Sequence, residues 1–156
     1  MKTVITFLLC ALSLAAQARY SATTGDVSLA ASGTSLTIQQ PASGAKLVRL
    51  ESAVVYCSVA CNITQSANGT AATATAGTAV SIPPYVAPAS ATVWTASNVG
   101  AGSAIGGIVH VTTAPNTVVL DLSQVVMGSS GTGNNYTVAI SSITGTANIT
   151  FFWSER

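Results

Sequence analysis

The sequence predicts an all-β protein: a β-sandwich, jelly-roll or immunoglobulin-like, of about nine short antiparallel strands. Three observations carry this. Beyond the first eighteen residues no apolar pattern has a helical period. Apolar residues instead alternate with Thr and Ser, and β-branched residues are frequent. Gly, Pro and Asn break these runs at about the spacing of a sandwich or barrel.

Residues 1–18 read as a signal peptide rather than as part of the fold. Lys2 supplies a positive start, Val4 to Ala16 are almost unbroken apolar residues, and Ala16-Gln17-Ala18 is a small-x-small cleavage site. Cys10 is preceded by Leu9, where a lipoprotein signal has a small residue, so the expected product is soluble and starts at Arg19. No later apolar stretch is long enough to cross a bilayer. The expectation is a chain secreted to the extracellular space or cell surface, with no membrane association after cleavage.

Residues 19–43 read as an extended N-terminal segment, with Val27, Leu29 and Ala31 and then Leu36 and Ile38 in alternation. Ser, Thr and Gly around its first half anchor it weakly. Two roles fit: an ordinary first strand, or a donor strand that completes a neighbour's sheet through Val27, Leu29 and Ala31. Residues 44–156 form the sandwich domain.

From Lys46 to Cys57 the pattern changes midway. Arg49 and Glu51 share a face with Leu47, opposite Val48, Leu50, Val54 and Tyr56, but past Ser52 both faces are apolar. Either a bulge flips the register there or the half-strand is covered on both sides. Cys57 and Cys61 follow. In one straight strand their Cα atoms would stand ~13 Å apart, beyond the ~7 Å reach of a bridge. A three-residue turn at Ser58-Val59-Ala60 opposes them and allows a disulfide, the ordinary staple of an oxidising compartment.

The stretch from Asn62 to Thr78 contains no charge. Asn68-Gly69 is the strongest hairpin signal in the chain and predicts that 62–67 pairs with 70–77 through a type I′ turn. That register places Asn62, Thr64, Ser66, Thr73 and Thr75 on one face as an uncharged array of hydroxyls. Later strands read from Val118, Leu120 and Leu122, from Tyr136, Val138 and Ile140, and from Ile149, Phe151 and Trp153.

Charge excludes several functions. Charged residues make up 6% of the chain, against about 25% in ordinary globular proteins. After cleavage Arg19, Lys46, Arg49 and Arg156 balance Asp26, Glu51, Asp121 and Glu155. No basic patch exists for nucleic acid, and surfaces so near neutrality tend to associate. His110 is the single histidine, and strand parity turns it away from Val109 and Val111. A triad of His110, Asp121 and a serine would lack any nucleophile-elbow motif. Glu51 and Asp121 as a glycosidase pair would be an accident of four acids. Metal ligands do not cluster. The chain reads as a non-enzyme without cofactor. Asn-x-Thr triplets at Asn62, Asn68, Asn135 and Asn148 are glycosylation acceptors if the host modifies such sites.

The C-terminal run from Gly145 to Trp153 has a glycine, a short Ala/Asn/Thr approach and an alternating aromatic strand at the chain end. It resembles secreted pilin-like fibre subunits, as do the chain's length, leader, low charge and Thr/Ala/Gly richness. That resemblance implies a β-sandwich that polymerises by strand donation from its N-terminal extension. The expected function is therefore a structural subunit of a homopolymeric extracellular fibre or surface layer, its partners copies of itself. Two alternatives use the same hydroxyl face: a carbohydrate- or cell-surface-binding module, and an ice-binding surface built on Thr73 and Thr75.

Overall fold

The computed structural model describes residues 17–29, 33–40, 46–67, 75–83, 87–96, 103–127, 134–142 and 144–156. Every regular element among them is a strand. In chain order these are β1 (Ala18–Thr23), β2 (Val27–Ser28), β3 (Thr34–Gln39), β4 (Val48–Cys57), β5 (Cys61–Ala67), β6 (Thr75–Ala76) and β7 (Val80–Ser81). They continue as β8 (Thr92–Ala96), β9 (Ser103–Ala104), β10 (Val109–Val111), β11 (Asn116–Asp121), β12 (Val126–Met127), β13 (Asn135–Ser141) and β14 (Thr146–Glu155). Fourteen exceeds the nine or so expected. Five of them are two-residue pieces, too short to leave an alternation in the sequence.

Two antiparallel sheets pack against each other. The first runs β11-β4-β14-β1-β7, with β12 on β4 and β2 on β14. The second runs β10-β5-β13-β3-β8-β6, with β9 on β5. One core lies between them. Ile149, Phe151 and Trp153 of β14 and Tyr20 of β1 face Tyr136, Val138 and Ile140 of β13 and Leu36 and Ile38 of β3, and none is more than 1% exposed. Tyr20 and Trp153, cross-strand neighbours, stack with ring centroids 5.7 Å apart. Phe151 meets Tyr136 of the other sheet edge to face at 6.3 Å. Each such ring contributes about 1.5–3 kcal/mol by leaving water, so alternate residues on a few central strands hold the sandwich together.

The N-terminal segment lies within its own chain's sheets. β1 runs antiparallel to β14 from Ala18 opposite Glu155 to Thr23 opposite Thr150. β2 continues along the same strand, with Val27 opposite Ala147. The Leu29 amide donates to Gly145 O at 2.7 Å, and its side chain is buried. Ala31 lies outside the described residues. β3 sits in the second sheet between β13 and β8.

The break in the 46–57 pattern is a bulge. Phe152 pairs with Ser52 and Trp153 with Leu50, so the β4–β14 register skips one residue of β4. Core-facing positions accordingly switch from Val48 and Leu50 to Ala53, Val55 and Cys57. Val54 and Tyr56 are thereby turned outward. They do not share the face of Val48 and Leu50, as an unbroken alternation would require.

The Cys57–Cys61 disulfide forms, with Cα atoms 6.5 Å apart. It does not close a hairpin. β4 ends in the first sheet and β5 begins in the second, so the bridge staples the two layers at a corner. Ser58 locks that corner to β14: its amide donates to Thr146 O, and its Oγ accepts from the Thr146 amide at 2.7 Å. Gly145 passes beneath with φ +93°, and a Cβ there would stand 2.6 Å from Val59 Cγ2. Only glycine fits.

The expected 62–77 hairpin does not form. β5 pairs with β13 on one side, Ile63 opposite Ile140, and with β10 and β9 on the other. Thr75 and Ala76 pair with β8 instead. The physical reason is what each neighbour can bury. β13 offers Tyr136, Val138 and Ile140 to the same core as Ile63, whereas 70–77 contains only Ala, Thr and Gly. An Asn-Gly step favours a turn by local geometry, but six residues of ladder over a shared core outweigh it.

Candidate assembly surfaces

Each sheet has one face in the core and one turned outward, and paired residues lie on the same side. On the second sheet, Asn62, Thr64 and Ser66 of β5 stand beside Ser141, Ala139 and Thr137 of β13. The row continues through Ser35, Thr37 and Gln39 of β3 to Thr92 and Trp94 of β8. None is an acid, a lysine or an arginine. Of the array read from the sequence, Asn62, Thr64 and Ser66 share this face, in different company. Thr75 faces the other way, since it pairs through Thr95 with Leu36. Thr73 and Asn68 lie outside the described residues.

The centre of this face is closed to solvent. Thr37 and Thr137 are 4% and 1% exposed, and their hydroxyls satisfy each other at 2.7 Å. Trp94, opposite Thr37, is half-buried and donates its Nε1–H to Gln39 Oε1 at 3.1 Å. Burial pushes the Tyr136 phenol upward from its ordinary pKa, and that hydroxyl bonds to Gln65 Oε1.

The outward face of the first sheet has a different chemistry. Val119 of β11, Val54 of β4, Thr150 of β14 and Thr23 of β1 form one row across four strands. A second row holds Asp121, Ser52, Phe152, Ser21 and Val80. Val80 and Val119 are strongly exposed, while Val54, Tyr56 and Phe152 are half-buried. Ionic groups gather at one end. Glu51 is held by the Arg19 guanidinium at 3.1 Å through Nε and by an ion pair to its terminal nitrogen. This pairing also raises the pKa of Arg19.

The candidate catalytic groups are each engaged elsewhere. His110 lies exposed on β10, and its Nδ1 meets Asn62 Oδ1 at 2.8 Å rather than Asp121. Asp121 accepts from the Ser123 amide at 2.9 Å, which lowers its carboxyl pKa. Of the glycosylation triplets, Asn62 is exposed. Asn148 is half-buried in mid-strand, where Thr23 and Thr150 donate to its Oδ1 and its Nδ2 donates to Asp26. Asn135 is 5% exposed, so its triplet does not sit on an open loop edge as expected. β13 begins there, with Asn135 paired to Gln39 on the side of the sheet away from the core.

Sequence reasoning missed Glu155. Its carboxylate is buried and accepts from the Ser90 and Ala91 amides at 2.9–3.0 Å and from Trp153 Nε1 at 3.3 Å, with Lys46 Nζ 3.8 Å away. The signal was available: Glu155 shares the parity of Ile149, Phe151 and Trp153. A charge next to the chain end reads as a solvated tail unless the alternation is carried through it. Two open clefts flank the sandwich. One of about 390 Å³ is lined by Ala67, Ile105, Gln124, Val126, Met127 and Tyr136. Another of about 330 Å³ is lined by Asn62, His110, Thr112, Ser141 and Ser142. Among the described residues, no three His, Cys, Asp or Glu side chains gather as metal ligands, and no helix is long and apolar enough to cross a membrane.

Compared with known protein families, with curated proteins and with solved structures, the chain matches none.

Proposed function

We propose that this protein is a secreted structural subunit of a homopolymeric extracellular fibre or surface layer. In this reading the leader is removed near Ala18, and the sandwich, of jelly-roll or immunoglobulin-like kind, assembles through strand edges and sheet faces. One observation carries it. The outward face of the first sheet is built mainly of hydroxyls and apolar side chains, among them Val54, Tyr56, Val80, Val119 and Phe152, with Asp121 and the paired Arg19 and Glu51 beside them. Such surfaces have little charge to keep copies apart and apolar area to gain by meeting. The partner is the chain itself, and the pilin-like resemblance is kept as a likeness in role. Strand donation is not needed, because β1 and β2 complete their own sheet. The reading assigns no enzymatic activity.

Negative-stain imaging of the secreted material, with sedimentation at rising concentration, tests this. Regular polymers are expected. A monodisperse monomer at high concentration overturns the reading. A carbohydrate-binding module is the second reading, supported by the cleft where Asn62, His110, Thr112 and Ser141 offer amide, imidazole and hydroxyl partners. It is favoured instead if a monomer binds glycans and loses that binding on Asn62→Ala with His110→Ala.

A further inference from the structure

We propose that β11 is the strand through which two copies of this chain pair, edge to edge and antiparallel, about a two-fold axis through Val119. The proposal deepens the polymer reading and rests on it for the identity of the partner.

β11 is the terminal strand of the first sheet, and among the described residues only β4 pairs with it. Its six residues contain no lysine, arginine or proline, the residues with which proteins ordinarily guard an open edge. The direction of its free backbone groups follows from the register. Leu120 pairs with Ala53 and Asp121 with Ser52, and one step further the Leu122 amide donates to Glu51 O at 3.1 Å. Hydrogen-bonded and non-bonded pairs alternate along an antiparallel ladder. Val118 and Leu120 therefore turn their amides and carbonyls toward β4, as Leu122 does its amide. Thr117, Val119 and Asp121 turn theirs outward, where no described strand pairs with them.

One register of a second copy of β11 on that edge uses all three outward-facing residues of each strand. With Val119 opposite Val119 of the second copy, Thr117 faces Asp121 of the other chain, and Val118 faces Leu120. Every pair then lies on matching faces, as ladder geometry requires. The three outward-facing residues of each strand exchange about six ladder bonds. Val119, 65% exposed in the single chain, is covered by its own symmetry mate. The single charge of the strand, Asp121, meets a threonine hydroxyl and not a second carboxylate. Across the pair the row Val119, Val54, Thr150 and Thr23 runs unbroken from one copy into the other. Such an interface is isologous and closes on itself, so the repeating unit of a polymer would be this dimer, joined to the next through another surface.

The symmetric register makes a test that simple loss of stickiness cannot imitate. Val119→Lys and Val119→Glu each place like charges opposite one another at the axis. Sedimentation equilibrium of the purified secreted protein should show a concentration-dependent dimer. Each single variant should raise its dissociation constant by about tenfold or more. An equimolar mixture of the two variants should restore association to within about threefold of wild type, as a mixed dimer with Lys opposite Glu. Unchanged thermal unfolding of each variant monomer would show that the fold is intact, as expected for so exposed a position. If wild type forms polymers under the microscope and both variants form them equally well, edge pairing is overturned while the polymer reading stands. If both variants lose association and the mixture does not recover it, the two-fold register is overturned. A wild type that stays monomeric and forms no polymers overturns both.

Discussion

β1 and β11 are six-residue strands of the same sheet, and they occupy opposite situations. β1 lies between β14 and β7, buries Tyr20 and Ala22 and stacks Tyr20 on Trp153. Among the described strands β11 is paired on one side only, and it holds the most exposed large hydrophobic residue described, Val119. The sequence left two roles open for the N-terminal segment, an ordinary first strand or one available to another chain. Availability is decided by whether both edges of a strand already have neighbours, and a terminal segment can be the better covered of the two. Removing β1 would strip a sheet interior, whereas covering β11 would only extend an edge.

The largest expected effect lies on the β1 side. Trp153→Ala should destabilise the protein by about 3–5 kcal/mol, read from the shift in chemical denaturation midpoint. A loss below about 1 kcal/mol would mean that the Tyr20–Trp153 stack is not core and would break the comparison. Next comes the buried carboxylate that anchors the 90–91 backbone close to β1. Glu155→Ala leaves the Ser90 and Ala91 amides and the Trp153 indole without their acceptor. A cost of about 3 kcal/mol is expected by the same measurement, and full stability in Glu155→Ala would show those donors satisfied elsewhere.

The disulfide sharpens the β11 side. Cys57 pairs with Asn116 at the start of β11, so Cys57→Ser with Cys61→Ser loosens that end of the strand. The closed loop is short, and the expected loss is only about 2 kcal/mol. Hydrogen exchange should show the excess opening concentrated in β11 and β10 rather than in β1. Uniform opening would contradict the placement.

Alkaline titration separates the strands in another way. Burial, then the Glu155 charge, raises the Tyr20 phenol above its ordinary pKa, and burial alone raises Tyr136. The folded state thus favours the neutral phenols. Their contribution is complete below the unfolded tyrosine value of about 10 and is lost as pH rises through the raised folded values. Tyrosinate absorbance should show two late-ionising tyrosines while the protein stays folded, and Tyr20→Phe should remove one of them. The smallest effect belongs to Val119→Thr, which should change monomer stability by less than about 0.5 kcal/mol. A larger loss would show that Val119 is covered within the single chain, against its exposure.

Much of this molecule was legible as parity. Alternation marked Tyr136, Val138, Ile140, Ile149, Phe151 and Trp153 as core, and the change of pattern past Ser52 marked either a bulge or a doubly covered half-strand, of which the structure has the bulge. It also placed Glu155 on the core side, for any reading carried to the end of the strand. The Cys57–Cys61 spacing marked a bridge across a tight turn. What it could not show is that the turn crosses from one sheet to the other, because a hairpin and a layer-crossing corner both bring two cysteines together.

The same limit explains the failed 62–77 hairpin and why the sequence left two roles open for the N-terminal segment. By itself the sequence determined which residues face inward wherever a strand runs without a bulge, since that follows from the two-residue period of an extended chain and the expulsion of apolar groups from water. Only the tertiary structure decided which strand lies beside which. Backbone amides and carbonyls are the same in every strand, so a ladder has no local preference for its neighbour. The choice falls to whichever arrangement lets all the inward faces share one core, and that arrangement left β1 enclosed and β11 open.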